Sequence, residues 1–176
     1  MLWEVFMRSI LLSLLLSISL PSLANDDVAD FLQVALPATA AGISVMTEDY
    51  EGLEQFAYAL GSTVATTYAL KALVSSERPN GQDDDSFPSG HASVTFSAAS
   101  FIDRRYGHKW GVPAYVFASY TAYSRYENDH HNVEDVLVGA LIGYGFSHLF
   151  VDPYSDVQVG AVVSESYSGL SVSYAF

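Results

Sequence analysis

Apolar residues run through this chain in stretches of helical length, and short polar clusters separate them. Residues 30–46, DFLQVALPATAAGISVM, predict a helix interrupted near Pro37, whose ring removes a backbone donor. A second helix is expected over 53–76, ended by Pro79 because the residue before a proline avoids helical geometry. The stretch 80–88, NGQDDDSFP, reads as an acidic, turn-rich loop. Further helices are expected over 89–105, closed by YGHK, over about 112–124, and over 132–149 after the polar loop RYENDHHN. In the tail, 157–176, the apolar period falls to two: Leu170, Val172, Tyr174 and Phe176 alternate with Ser171, Ser173 and Ala175. With Ser168-Gly169 as the turn, that pattern predicts a β-hairpin packed on the helices. The expected fold is therefore an all-α helical bundle with a short C-terminal β-hairpin.

Residues 9–20, SILLSLLLSISL, change the reading of the N-terminus. The run has the length of a signal-peptide core, Arg8 precedes it, and small residues at 22–24 fit a cleavage site. Residues 1–24 are accordingly read as a signal peptide, with an uncleaved anchor as the rival. Residues 25–155 then form the helical domain and 156–176 the extension. Removing the leader takes away Glu4 and Arg8, so the net charge stays at −13. Such a balance argues against nucleic acid and against bulk attraction to anionic membranes. The chain has no cysteine, which excludes disulfides, a thiolate nucleophile and Cys-ligated zinc.

Against that charge, the few cations stand out. Arg104, Arg105 and Lys109 fall in one short polar stretch; Lys71, Arg78 and Arg125 lie in three segments that also carry candidate chemistry. In KALVSSERP, Lys71 and Arg78 are two helical turns apart and share a face if the helix extends that far, which suits an anion between them. In PSGH, Ser89 is a good N-cap, Gly90 lets a ligand approach the backbone, and His91 lies on the first helical turn, where free N–H groups favour a phosphate-like anion. In SRYENDHHNVED, His131 and Asp135 are one turn apart. The carboxylate can hold the imidazole Nδ1–H and leave Nε2 free as nucleophile or base, while Arg125 supplies a guanidinium. Taken singly, each segment also reads as an ordinary capped helix end. Asp83, Asp84 and Asp85 read as solvated loop acids whose proximity to His91 favours its protonated form.

Together the segments carry a specific pattern: K-x6-R-P, then P-S-G-H, then S-R-x5-H-x3-D. It is met at Lys71, Arg78, Pro79, Pro88, Ser89, Gly90, His91, Ser124, Arg125, His131 and Asp135. The chain thus resembles the superfamily of type 2 phosphatidic acid phosphatases, bacterial non-specific acid phosphatases and vanadium haloperoxidases. The resemblance implies a metal-independent phosphoric ester hydrolase without a cofactor. In it His131 is the nucleophile that forms a phosphohistidine, Asp135 orients it, and His91 is the general acid. Lys71, Arg78, Arg125, Ser89 and the backbone at Gly90 hold the phosphate.

Phosphate monoesters or pyrophosphates, soluble or lipid-linked, are the expected substrates. Two rivals share the site: an integral-membrane lipid phosphatase, and a haloperoxidase in which vanadate occupies the phosphate pocket. A third, of another class, is a non-catalytic periplasmic scaffold. The apolar stretches 92–102 and 111–123 are short for spanning helices, which favours a soluble or peripherally bound periplasmic domain over an integral one. His148, in an apolar helix, is expected to be a satisfied core residue.

Overall fold

The computed structural model describes residues 24–154, 157–164 and 167–174; the expected leader lies outside these, apart from Ala24. Five helices follow one another: α1 (Asp26–Met46), α2 (Tyr50–Leu73), α3 (Gly90–Tyr106), α4 (His108–Glu127) and α5 (Val133–Phe150). Consecutive helices run antiparallel. The starts of α1, α3 and α5 and the ends of α2 and α4 therefore gather at one end of the bundle.

Three boundaries differ from the sequence expectation, each for a local reason. Helix α1 continues through Pro37 without a break. Helix α2 stops at Leu73, with Val74 already extended, because the segment after it pairs elsewhere: Ser76 N donates to Asp84 O at 3.0 Å and Ser86 N to Ser76 O at 2.9 Å. Arg78 is thus on a loop, not on a helix face shared with Lys71. Helix α4 begins at His108, since Gly107 alone makes the turn at a φ of 89°, a left-handed region that favours glycine.

Helix α3 is the axis of the bundle and packs on all four other helices. Its buried positions include Ala92, Ser93, Thr95, Ser97, Ala98, Ala99 and Ser100 as well as Phe101 and Ile102. Hydroxyls there bond nearby carbonyls, as Thr95 Oγ1 does to His91 O at 2.7 Å. Helix α5 meets α3 through residues spaced four apart: Asp135, Gly139, Gly143 and Ser147 are all buried. A Cβ at Gly143 would lie 2.2 Å from Ser93 O, and one at Gly139 2.4 Å from Ser89 O. Only glycine permits this approach, the small-residue packing common between helices in lipid.

The outward faces are the reverse of a water-soluble pattern. Helix α5 exposes Val133, Leu137, Leu141 and Leu149, the last at 70%. Helix α1 buries Ala29, Leu32, Leu36, Ala40 and Ser44, while Phe31 and Val34 are 68% and 70% exposed. Among the described residues these two helices are long and apolar enough to cross a membrane, and only 28% and 22% of their apolar windows are buried inside the protein.

Past α5, β1 (Val157–Ser164) and β2 (Tyr167–Tyr174) pair antiparallel, with Val157 opposite Tyr174 and Ser164 opposite Tyr167. That register places Ser168 and Gly169 within β2 and not at the turn. No contact joins this segment to a helix among the described residues, so the expected C-terminal β-hairpin, turned at Ser168-Gly169 and packed on the helices, is not supported.

Candidate active site

The three motif segments meet at the end of the bundle where α3 and α5 begin. Ser89 caps α3, its hydroxyl accepting from Ala92 N, and its own N–H donates to Asp135 O at 2.9 Å. That bond ties the PSGH turn to the first turn of α5. Gly90 and His91, both half-buried, open α3 beside it. Arg125, on the last turn of α4, turns its carbonyl to the next loop, where the His131 N–H donates to it at 3.0 Å. That bond holds the backbones of Arg125 and His131 side by side.

His131 and Asp135 are not joined in the way the i,i+4 spacing suggests. The helix begins only at Val133, so His131 precedes its cap, and Asp135 Oδ2 accepts instead from Asn132 N at 2.8 Å. The His131 Nδ1 to Asp135 Oδ2 distance is 3.7 Å, too long for a hydrogen bond. Ser86 fills the gap. Its hydroxyl donates to Asp135 Oδ2 at 2.5 Å and lies 3.3 Å from His131 Nδ1. A hydroxyl has one proton; with that proton on Asp135, the Ser86 oxygen accepts from His131 Nδ1–H. The relay fixes the tautomer and leaves the Nε2 lone pair unprotonated. His131 and Asp135 are 3% and 2% exposed. Burial first, then the Arg78 and Lys71 charges, push the imidazole down to about 3, so it is neutral at any pH well above that value.

The cations are held by carboxylates. Asp85 lies between Lys71 and Arg78: its Oδ1 accepts from Arg78 Nη2 at 2.7 Å, its Oδ2 is 3.9 Å from Lys71 Nζ, and its carbonyl accepts from Lys71. Asp83 also pairs with Arg78 Nε. The acidic run is thus a partner of the two cations and not of His91. His91 is met by Asp30 of α1, whose Oδ1 lies 2.8 Å from His91 Nε2 and 3.3 Å from Arg125 Nη1. Asp26, one turn earlier, accepts from Arg125 Nη1 at 3.0 Å, Asn128 Nδ2 at 3.0 Å and His130 Nε2 at 2.9 Å. Arg125 Nε is buried with no hydrogen-bond partner among the described residues.

Every expected site residue is thus at this end, with Lys71, Arg78 and Arg125 all close enough to act on the charge of His131. Ser86, Asp26 and Asp30 went unread in the sequence. Ser86 carries no periodic signal; it is placed by the short bridge between Ser76 and Asp85. Asp26 and Asp30 are visible as an i,i+4 pair, but Arg125, the cation they share, is 99 and 95 residues away. His130, beside the nucleophile candidate, bonds Asn80 and Asp26. His148 finds partners in Ser100 Oγ and Tyr144 O.

The class is that of a helical bundle that gathers three cations and two imidazoles at one end. Comparison with known proteins gives this class its family. The sequence profile of the PAP2 superfamily matches residues 9–158. A lipid A 4'-phosphatase of Helicobacter pylori (strain J99) is 33% identical over 140 residues, 73% of this chain and 70% of that protein. A lipid A 1-phosphatase of Porphyromonas gingivalis is 39% identical over 69 residues, 38% of this chain but only 16% of that much longer protein. In fold, the chain is similar to the crystal structure of Aquifex aeolicus LpxE, with a TM-score of 0.53 at 20% identity over 68% of this chain and 83% of that one. The chain belongs to the PAP2 superfamily, the type 2 phosphatidic acid phosphatases whose motifs its sequence carries.

Proposed function

We propose that this protein is an integral-membrane phosphatase that removes a phosphate monoester from lipid A or a closely similar lipid phosphate, with its site at the periplasmic face. The observation that carries the reading is the inside-out arrangement of α1 and α5, whose large apolar side chains face outward at the very helices that build the phosphate pocket. At 1.5 Å per residue, helix α1 is about 31 Å long, close to the ~30 Å of a bilayer's hydrocarbon core. The short apolar stretches that favoured a soluble domain belong to α3 and α4; α3 is sheathed by its neighbours and needs no lipid-facing surface. An apolar groove of about 450 Å³, lined by Phe31, Leu36, Ile102, Trp110 and Phe117 among others, runs along α1 and suits an acyl chain. The names of the two curated relatives point to lipid A as the substrate class.

In this reading His131 Nε2 attacks phosphorus as the bond to the leaving oxygen breaks, and His91 gives that oxygen its proton. Water then attacks the phosphohistidine, returns a proton to His91 and releases phosphate. Lys71, Arg78 and Arg125 stabilise the charge on the equatorial oxygens, the part a metal plays elsewhere. Vanadate, a phosphate mimic, is expected to inhibit. The test is turnover of the detergent-solubilised protein on lipid A and on p-nitrophenyl phosphate, with and without EDTA. Release of phosphate from lipid A, unaffected by EDTA, is the expected result; turnover of the soluble ester alone contradicts the lipid reading.

The relay makes its own prediction. Ser86→Ala removes the acceptor that fixes the His131 tautomer and is expected to lower kcat about 10- to 100-fold, the range of lost orienting contacts. Because Ser86 reaches no substrate, KM should change little, and Ser86→Thr should recover most of the rate. A rate equal to wild type would show that Asp135 orients His131 without the hydroxyl.

A further inference from the structure

Among the carboxylates around the pocket, Asp30 differs from the rest in what it touches. One oxygen, Oδ1, bridges the imidazole of His91 and the guanidinium of Arg125, at 2.8 and 3.3 Å. Those are two of the groups that a phosphoryl ester meets in the proposed reaction. The carboxylate approaches from outside: the Asp30 side chain is 61% exposed, whereas those of His91 and Arg125 are 19% and 9%. Its backbone is held in place one turn away, where Asp26 takes three donors from Arg125, Asn128 and His130. Asp30 still leaves Arg125 Nε without a partner. A phosphate, with three oxygens to place, can use the groups that Asp30 occupies and this buried donor as well.

We propose that Asp30 is a resident anion on His91 and Arg125 that a phosphate must displace. The proposal rests on the phosphatase reading above. A soluble phosphate competes with Asp30 at its bulk concentration. A lipid phosphate is confined to the membrane beside the site, at a high effective concentration, and its apolar contacts help to displace the carboxylate. Only a side-chain rotation is needed, because the carboxylate lies at the mouth of the pocket.

The experiment compares wild type with Asp30→Asn, which keeps the shape and removes the charge; equal melting temperatures check that the variant folds. The inhibition constant of inorganic phosphate is expected to fall roughly three- to tenfold, the scale of one partly exposed charge pair together with the repulsion it exerts on the incoming anion. The kcat/KM of p-nitrophenyl phosphate should rise by a similar factor, because the displacement is no longer needed. An unchanged or higher inhibition constant, with kcat lowered on both substrates, overturns the proposal and makes Asp30 an orienting partner of His91. Vanadate-induced thermal stabilisation, measured on both proteins, keeps the two readings apart. If wild type hydrolyses neither substrate, the phosphatase reading fails, and stronger stabilisation of Asp30→Asn by vanadate still supports the competition while equal or weaker stabilisation overturns it.

Discussion

Replacing His131 with alanine is expected to lower kcat by about 10⁴-fold or more, since the step that breaks the phosphoester bond loses its nucleophile. The geometry makes the loss specific to chemistry. His131 is 3% exposed, and its ring is held by the Ser86–Asp135 relay and not by Lys71, Arg78 or Arg125. Lys71, Arg78 and Arg125 have their own carboxylate partners and remain in place without the imidazole. The variant should therefore still bind orthovanadate or inorganic phosphate while turning nothing over. Measured side by side, binding without turnover supports the assignment. Residual turnover within tenfold of wild type would move the nucleophile elsewhere, with His130 next in line on position alone.

At the other end of the bundle, Arg105→Met is expected to destabilise the fold by about 3–5 kcal/mol, the usual cost of stripping one partner from a buried ion pair. Arg105 donates to Asp49 through Nε at 2.8 Å and Nη2 at 2.6 Å, and to Asp152 O at 3.0 Å. Asp49 also caps α2 through Gly52 N at 2.9 Å and accepts from Tyr106 OH at 2.9 Å. Both partners are 5% exposed, so a lone Asp49 carboxylate has little water to turn to. The clasp joins the start of α2 to the end of α3 and to the chain leaving α5. It lies about 26 Å from the site by the length of α3, so the variant that remains folded should keep its kcat. Thermal unfolding in detergent reads the loss. Asp49→Leu combined with Arg105→Met should recover much of it, because no charge is then left buried. A double variant as unstable as the sum of the single ones would show that the clasp acts through other contacts.

These two residues mark how far the sequence could be read. The motif spacings placed His91, Arg125, His131 and Asp135 at one site because all of them lie on or beside helix ends that the short loops force together. The spacing between Lys71 and Arg78 pointed to the right pair for the wrong reason: the loop after Leu73 folds back on Asp85 and brings Arg78 to the pocket without a helix. Arg105 falls in one short polar stretch with Arg104 and Lys109, yet it is buried on Asp49, a partner 56 residues away that no local pattern announces. The fold class was legible from helical runs. The direction in which those helices face was not, since a helix that buries Gly139, Gly143 and Ser147 and exposes Leu137 and Leu141 has the same composition whichever side meets the protein. The hydrophobic pattern predicts burial only when the surroundings are water.

The most direct test of the account is to trap the phosphorylated enzyme. Protein quenched within milliseconds of mixing with ³²P-labelled lipid A phosphate should carry label that is stable to base and lost in acid, as a phosphohistidine is, and that maps to the peptide containing His131. His91→Ala, which removes the expected acid, should slow the appearance of that label, and His131→Ala should abolish it. Rapid turnover with no trapped label, or label that persists in His131→Ala, would contradict the claim that this imidazole takes the phosphoryl group.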